Sequence, residues 1–193
     1  MVYFIAGLLV FLGVHSTRIA AEGWRAGMVA RLGPGAWKGL YSVVSLLGLA
    51  ILVWGWGQVR QQPVVLWQPP VAMRHLAALL TLLAFVFLAA AYVPGNQIRA
   101  RLGHPMVLGV KTWALAHLLA NGTLAHVLLF GSFLAWSVLL FVVSSRRDRL
   151  AGVVRAPGTP GATALTVAVG VLAWAAFAFW LHGALIGVRP FGA

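Results

Sequence analysis

Six histidines supply the metal-binding and acid–base chemistry open to the apolar part of this sequence: His15, His75, His104, His117, His126 and His182. Two of them lie in one stretch, His104-Pro-Met-Val-Leu-Gly-Val-Lys-Thr-Trp-Ala-Leu-Ala-His-Leu-Leu-Ala-Asn-Gly122, which is apolar enough to be a helix inside a membrane. It also holds Lys111 and Asn121. Such groups are costly in lipid unless each finds a partner, so chemistry is expected here first. Gly109, Trp113, His117 and Asn121 recur every fourth residue and form a slowly drifting stripe on a helix. With Gly109 for close approach, the stripe reads as a pocket lining. His104 and Lys111, seven apart, share a different face. His117 lies about 20 Å along the helix from His104, at roughly 1.5 Å per residue. The plainer role for any one of these histidines is a hydrogen bond between helices. His75, His126 and His182 fall near the ends of apolar runs, where they read as interfacial.

The rest of the composition narrows the chemistry by elimination. There is no cysteine, so this chain by itself provides no disulfide, thiolate nucleophile, Cys-ligated zinc or iron–sulfur cluster. The carboxylates are Glu22 and Asp148, both in predicted loops. That leaves no carboxylate pair for glycoside hydrolysis and no Glu set for a di-iron bundle. Proton transport through buried Asp or Glu is disfavoured for the same reason. No spacing matches a zinc-protease helix or a membrane desaturase histidine box. The histidines do permit haem b, which needs imidazoles from facing helices, an apolar slot, and cations for its propionates. Arg18, Lys111 and Arg99 or Arg101 are the cations on offer.

The elements that must hold these residues are membrane spans. Of 193 residues, 62% are hydrophobic and 8% charged, against about 25% charged in soluble domains. A soluble fold of this length could not bury so much apolar side chain, so the bilayer is the expected solvent and partner. We expect an all-α, single-domain bundle of six transmembrane helices, at about 1–20, 39–57, 71–93, 104–121, 123–143 and 162–188. A cleaved signal peptide competes for the first run, but no basic residue precedes it. Residues 19–37 read as an interfacial segment broken at Gly33-Pro34-Gly35. Ser42, Ser45 and Gly48 give the second span a small-residue stripe for helix contact. Asn121-Gly122 supplies a tight turn that makes the flanking spans antiparallel neighbours.

The net charge of +12 would suggest nucleic acid in a soluble protein. Here the basic residues sit between spans, where they orient helices and meet anionic headgroups, so no nucleic-acid partner is expected. Six spans place both termini on one side. The loops at 17–38, 94–103 and 144–161 carry ten Lys and Arg (18, 25, 31, 38, 99, 101, 146, 147, 149, 155), and the opposite side carries three (60, 74, 189). The basic side is expected to be cytoplasmic, with both termini facing out.

The runs Gly13-Val-His-Ser-Thr-Arg18, Leu40-Tyr-Ser-Val-Val-Ser-Leu-Leu-Gly48, His104-Pro-Met-Val-Leu-Gly109, Trp113-Ala-Leu-Ala-His-Leu-Leu-Ala-Asn-Gly122 and Leu181-His-Gly-Ala-Leu-Ile-Gly-Val188 resemble the NnrU family of bacterial membrane proteins. The resemblance implies a link to denitrification and nitric oxide metabolism. The family is similar to plant 15-cis-zeta-carotene isomerase, a membrane enzyme that uses haem b. Carried over residue by residue, it implies His15 and His117 as haem and iron ligands, with His104 as the alternate. Arg18 and Lys111 are then propionate partners, with Trp113 and Asn121 beside the cofactor. The isomerase exchanges a histidine for a cysteine ligand; this chain has no cysteine, and Ala114 stands one turn before His117. The expected role is a haem-dependent redox, nitric-oxide-related or isomerase-like one. The rival is a non-enzymatic membrane assembly factor or small-solute carrier without haem, or a quinone- or lipid-binding scaffold.

Overall fold

The structure, a computed structural model, describes residues 1–191. Its helices are α1 Val2–His15, α2 Thr17–Ala20, α3 Glu22–Val59, α4 Val71–Tyr92, α5 Gln97–Leu102, α6 Pro105–Ala120, α7 Leu124–Leu150 and α8 Pro160–Ala176; a π-helical turn, Phe177–Leu181, carries α8 on into α9, His182–Ile186. Lipid offers no hydrogen bonds, so an apolar chain must satisfy its backbone within each segment, and the helix does so. α3, α4, α7 and the α8–α9 rod are long and apolar enough to cross a membrane.

Four of the six expected spans reach that length; the other two are shorter apolar helices. α1 has 14 residues and α6 has 16. They rise about 21 and 24 Å against a hydrocarbon core of about 30 Å. Both are apolar, and both stop early at a histidine-bearing end.

The expected interfacial segment and second span are one element, α3, whose ladder is interrupted at Gly33 (φ 81, ψ 156). Only glycine takes that backbone conformation without strain, and Pro34 then restarts the helix where its missing N–H costs nothing. At 38 residues α3 is about 57 Å long, far more than the hydrocarbon thickness. The arm before the kink, with Glu22, Arg25 and Arg31, therefore lies outside the spanning part. α7 likewise runs past the expected residue 143 to Leu150, carrying Arg146, Arg147 and Arg149 beyond the apolar zone.

The helices stand in the order α3, α1, α7, α6, α4, α8. α1 and α3 pack antiparallel and very close. A methyl at Gly55 would run into the backbone of Phe4, one at Gly7 into Leu52, and one at Gly48 into Phe11. The stripe that works is thus Gly48–Leu52–Gly55, about two turns further along than the expected Ser42–Ser45–Gly48. Phe4, Leu8, Leu52, Val59 and Ala125 form the buried core, with Leu12, Trp56 and Phe133 against it. Gly109 admits α4 at Ala84 and Leu88, and Gly170 admits α4 at Val86.

Loops gather at two ends. At one, Leu66 N (2.8 Å) and Trp67 N (3.1 Å) donate to Gly122 O, and Arg60 donates to Ile186 O at 2.7 Å. At the other, Thr159 N donates to Gly95 O at 2.8 Å, Gln97 N to Thr163 Oγ1 at 3.0 Å, and Arg147 pairs with Glu22 at 3.5 Å. The three basic loops meet at this second end.

Candidate functional site

α1 ends in His15-Ser16-Thr17, and each side chain takes up a carbonyl of the last turn. His15 Nδ1 meets Phe11 O at 2.7 Å, Ser16 Oγ donates to Leu12 O at 2.7 Å, and Thr17 Oγ1 to Val14 O at 2.9 Å. These bonds add side-chain donors to the last turns of α1 beside the backbone ladder, where Ser16 N donates to Leu12 O at 2.8 Å. The pairing also fixes the imidazole. A carbonyl only accepts, so Nδ1 carries the proton and Nε2 is left with a lone pair, the form that binds a metal. The ring is held by Phe11 (4.4 Å between centroids), Tyr41 (5.3 Å) and Trp136 (6.1 Å).

His15 lines a cavity of about 450 Å³, within the range of small-ligand sites. α3 forms one wall with Trp37, Lys38, Tyr41 and Ser42. α6 forms the other with Met106, Val107 and Val110. Trp136 and Leu140 of α7 close the back, and Arg18 and Arg25 stand at the basic end. The indole Nε1 of Trp136 is buried with no hydrogen-bond partner. An orphaned donor of this kind costs about 1–3 kcal/mol. Glu22 tempers the positive end: Arg25 bonds it at 2.7 Å, Arg147 approaches to 3.5 Å and Arg18 to 3.9 Å. The Arg25 guanidinium holds the Glu22 carboxyl below its ordinary 4.5.

The family model described as NnrU protein matches residues 3–190. The chain belongs to the NnrU family. No curated protein and no solved structure matches it. Of the family-derived positions, His15 and Arg18 share the cavity, together with Met106 and Val107 from the His104-Pro-Met-Val run.

The structure does not bring His117 to that cavity. It lies two turns beyond Val110 along α6, roughly 10 Å further. Its Nδ1 meets Trp113 O at 2.9 Å, and its ring stacks on Phe130 at 4.6 Å, with Trp113 at 5.1 Å. Asn121 Nδ2 donates to His117 O at 2.9 Å. As in α1, the histidine spends Nδ1 on the carbonyl four residues before it, while Asn121 closes the terminal turn. His126 stacks on the same Phe130 at 5.9 Å and bonds Thr123 Oγ1 at 2.6 Å.

Lys111 places its ammonium 5.2 Å from the Phe141 ring. His104 sits elsewhere again, with Nε2 2.9 Å from Asp148 Oδ2. The oxygen is off the line of a ring N–H, so that nitrogen makes no aligned hydrogen bond and the contact is electrostatic. Asp148 also pairs with Arg155, fixing the loop after α7. Among the described residues no three His, Asp or Glu groups cluster as a metal site.

Sequence reading missed Trp136, Tyr41, Arg25 and Lys38, because they come to His15 from other helices. It also missed Asn96. That side chain is 2% exposed, donates to Ala90 O (2.9 Å) and Val93 O (2.5 Å), and accepts from Arg99 N (2.7 Å). An Asn after Pro-Gly and ahead of a basic helix was the available signal for this cap.

Proposed function

We propose that this NnrU protein binds haem b in the cavity between α1, α3, α6 and α7, as a bacterial inner-membrane protein with its basic end in the cytoplasm and its termini in the periplasm. The observation that carries the reading is His15, whose Nδ1 is committed to Phe11 O and whose Nε2 is therefore a free donor pair, on a cavity edged by cations. The donor set fits the group. His15 would be the protein ligand, and Arg18, Arg25 and Lys38 would face the propionates. Val107, Val110 and Leu140 would pack on the macrocycle. His117 does not enter this set: two imidazoles on one iron stand about 4 Å apart, at about 2 Å per metal–nitrogen bond, and it lies outside the cavity. Haem held by one imidazole offers an open coordination position, suited to the nitric-oxide-related, redox or isomerase-like roles that the family implies. Tyr41, Trp37 and Trp136 would exclude water and fix the orientation of what binds.

Protein purified from haem-supplied cells should show a Soret band that His15→Ala abolishes and His117→Ala retains. The reverse pattern would move the ligand to α6. A colourless wild type would end the haem reading. The second reading, a membrane assembly factor or solute carrier without haem, is favoured by one observation: His15 and His117 both spend Nδ1 on a carbonyl of their own helix. It expects both alanine variants to keep function and lose stability.

A further inference from the structure

The cavity is also a gap in the row of helices. α3 and α6 face each other across it, no helix-to-helix packing joins them, and Ser42 and Met106 on the two lips are exposed. Its back is closed by α1 and α7, so it opens sideways, toward lipid. Its level is set by Lys38, Arg18 and Arg25, with Trp37 and Tyr41 beside them, the residues of the headgroup zone. Both side-chain carboxylates are committed elsewhere: Glu22 to Arg18, Arg25 and Arg147, and Asp148 to Arg155, with His104 beside it. Among the described residues, Lys38 is left without one.

We infer that the gap is a binding site for an anionic phospholipid, which enters laterally between α3 and α6. Its phosphate meets Lys38, and an acyl chain lies along Val107, Val110 and Leu140. A zwitterionic lipid brings its own cation against Lys38 and is disfavoured. The site is shared with the haem reading but does not rest on it; if both hold, lipid and haem compete, and lipid composition governs haem loading.

The test uses the full chain, purified haem-free, in vesicles of phosphatidylcholine. A phosphatidylglycerol brominated in its acyl chains is compared with equally brominated phosphatidylcholine as a quencher of tryptophan fluorescence. The anionic lipid should quench more strongly at equal bromine, through an affinity about fivefold higher per cation engaged. Lys38→Gln should lose that share of the excess, and Trp37→Phe with Trp136→Phe should remove the excess signal. Arg31→Gln, at the same end of the molecule but off the cavity, should leave it unchanged. Equal quenching by the two lipids, or an excess that Arg31→Gln lowers as much as Lys38→Gln, would overturn the site in favour of general surface attraction. The Soret band is read separately, so a colourless protein with the lipid preference keeps this site and loses haem, and a Soret band without the preference does the opposite.

Discussion

At the scale of the residue, the polar side chains of this protein close backbone before they do anything else. His15, Ser16, Thr17, His117 and Asn121 each bond a main-chain carbonyl of a short helix three or four residues back. Asn96 is the extreme case, since it ends α4 and starts α5 at once. Asn96→Ala removes the cap of α5 and strands two carbonyls beside a buried site. A lost N-cap costs about 1 kcal/mol and a buried group left unpaired about 1–3 kcal/mol, so a loss of about 2–3 kcal/mol is expected. Unfolding in detergent, followed by helix signal against denaturant, would measure it. A change within 0.5 kcal/mol would mean that water or lipid headgroups replace the side chain.

At the scale of the element, close approach of α1 and α3 depends on glycine at three heights. Gly7→Ala or Gly55→Ala should separate the helices and cost about 1–3 kcal/mol, the usual penalty for overpacking. Gly13→Ala and Gly57→Ala add a methyl where nothing lies within 4 Å and should be neutral or slightly stabilising. If all four behaved alike in thermal unfolding, the glycines would matter through helix propensity and not through contact. This element was half legible in the sequence. Hydropathy located the apolar runs, and the Gly33-Pro34-Gly35 break was visible, because both follow from local chemistry. The register of α1 on α3 was not, since Gly48, Gly55 and Ser45 look alike until a partner helix is placed. The site divided in the same way. His15 stood out as an imidazole in an apolar run, whereas Trp136, Tyr41 and Lys38 are ordinary interfacial residues that acquire meaning only through the order of the helices. His117 shared that apolar setting, and depth along α6 separated it from His15.

At the scale of the whole molecule, charge sets orientation and also ties the two halves together. The gathering of the basic loops at one end makes thiol labelling informative in a chain without cysteine. Gln62→Cys should react with an impermeant maleimide added outside spheroplasts, and Val154→Cys, 94% exposed, should react only after lysis; the opposite pattern would invert the topology. At that basic end, Arg147 and Asp148 are successive residues of α7 that reach opposite ways, to Glu22 on the arm of α3 and to His104 at the start of α6. The Glu22 tie is sensitive to acid. Its carboxyl is held below 4.5, chiefly by the hydrogen bond from Arg25, with Arg147 and Arg18 adding to it. A folded value below the unfolded one means that the carboxylate stabilises the fold above pH 4.5, and that this contribution fades as pH falls through the lowered value. Glu22 is about one-third exposed, so the contribution is modest. Acid should therefore free the arm while leaving the spanning helices intact. Trp24 on the arm lies 5.7 Å from Trp37 at the cavity and serves as the reporter. Between pH 6 and pH 3 its emission should shift in wild type, whereas in Glu22→Gln the acid-like spectrum should already be present at pH 6 and remain flat. A transition retained in Glu22→Gln would place the titrating group elsewhere and leave the arm held by packing alone.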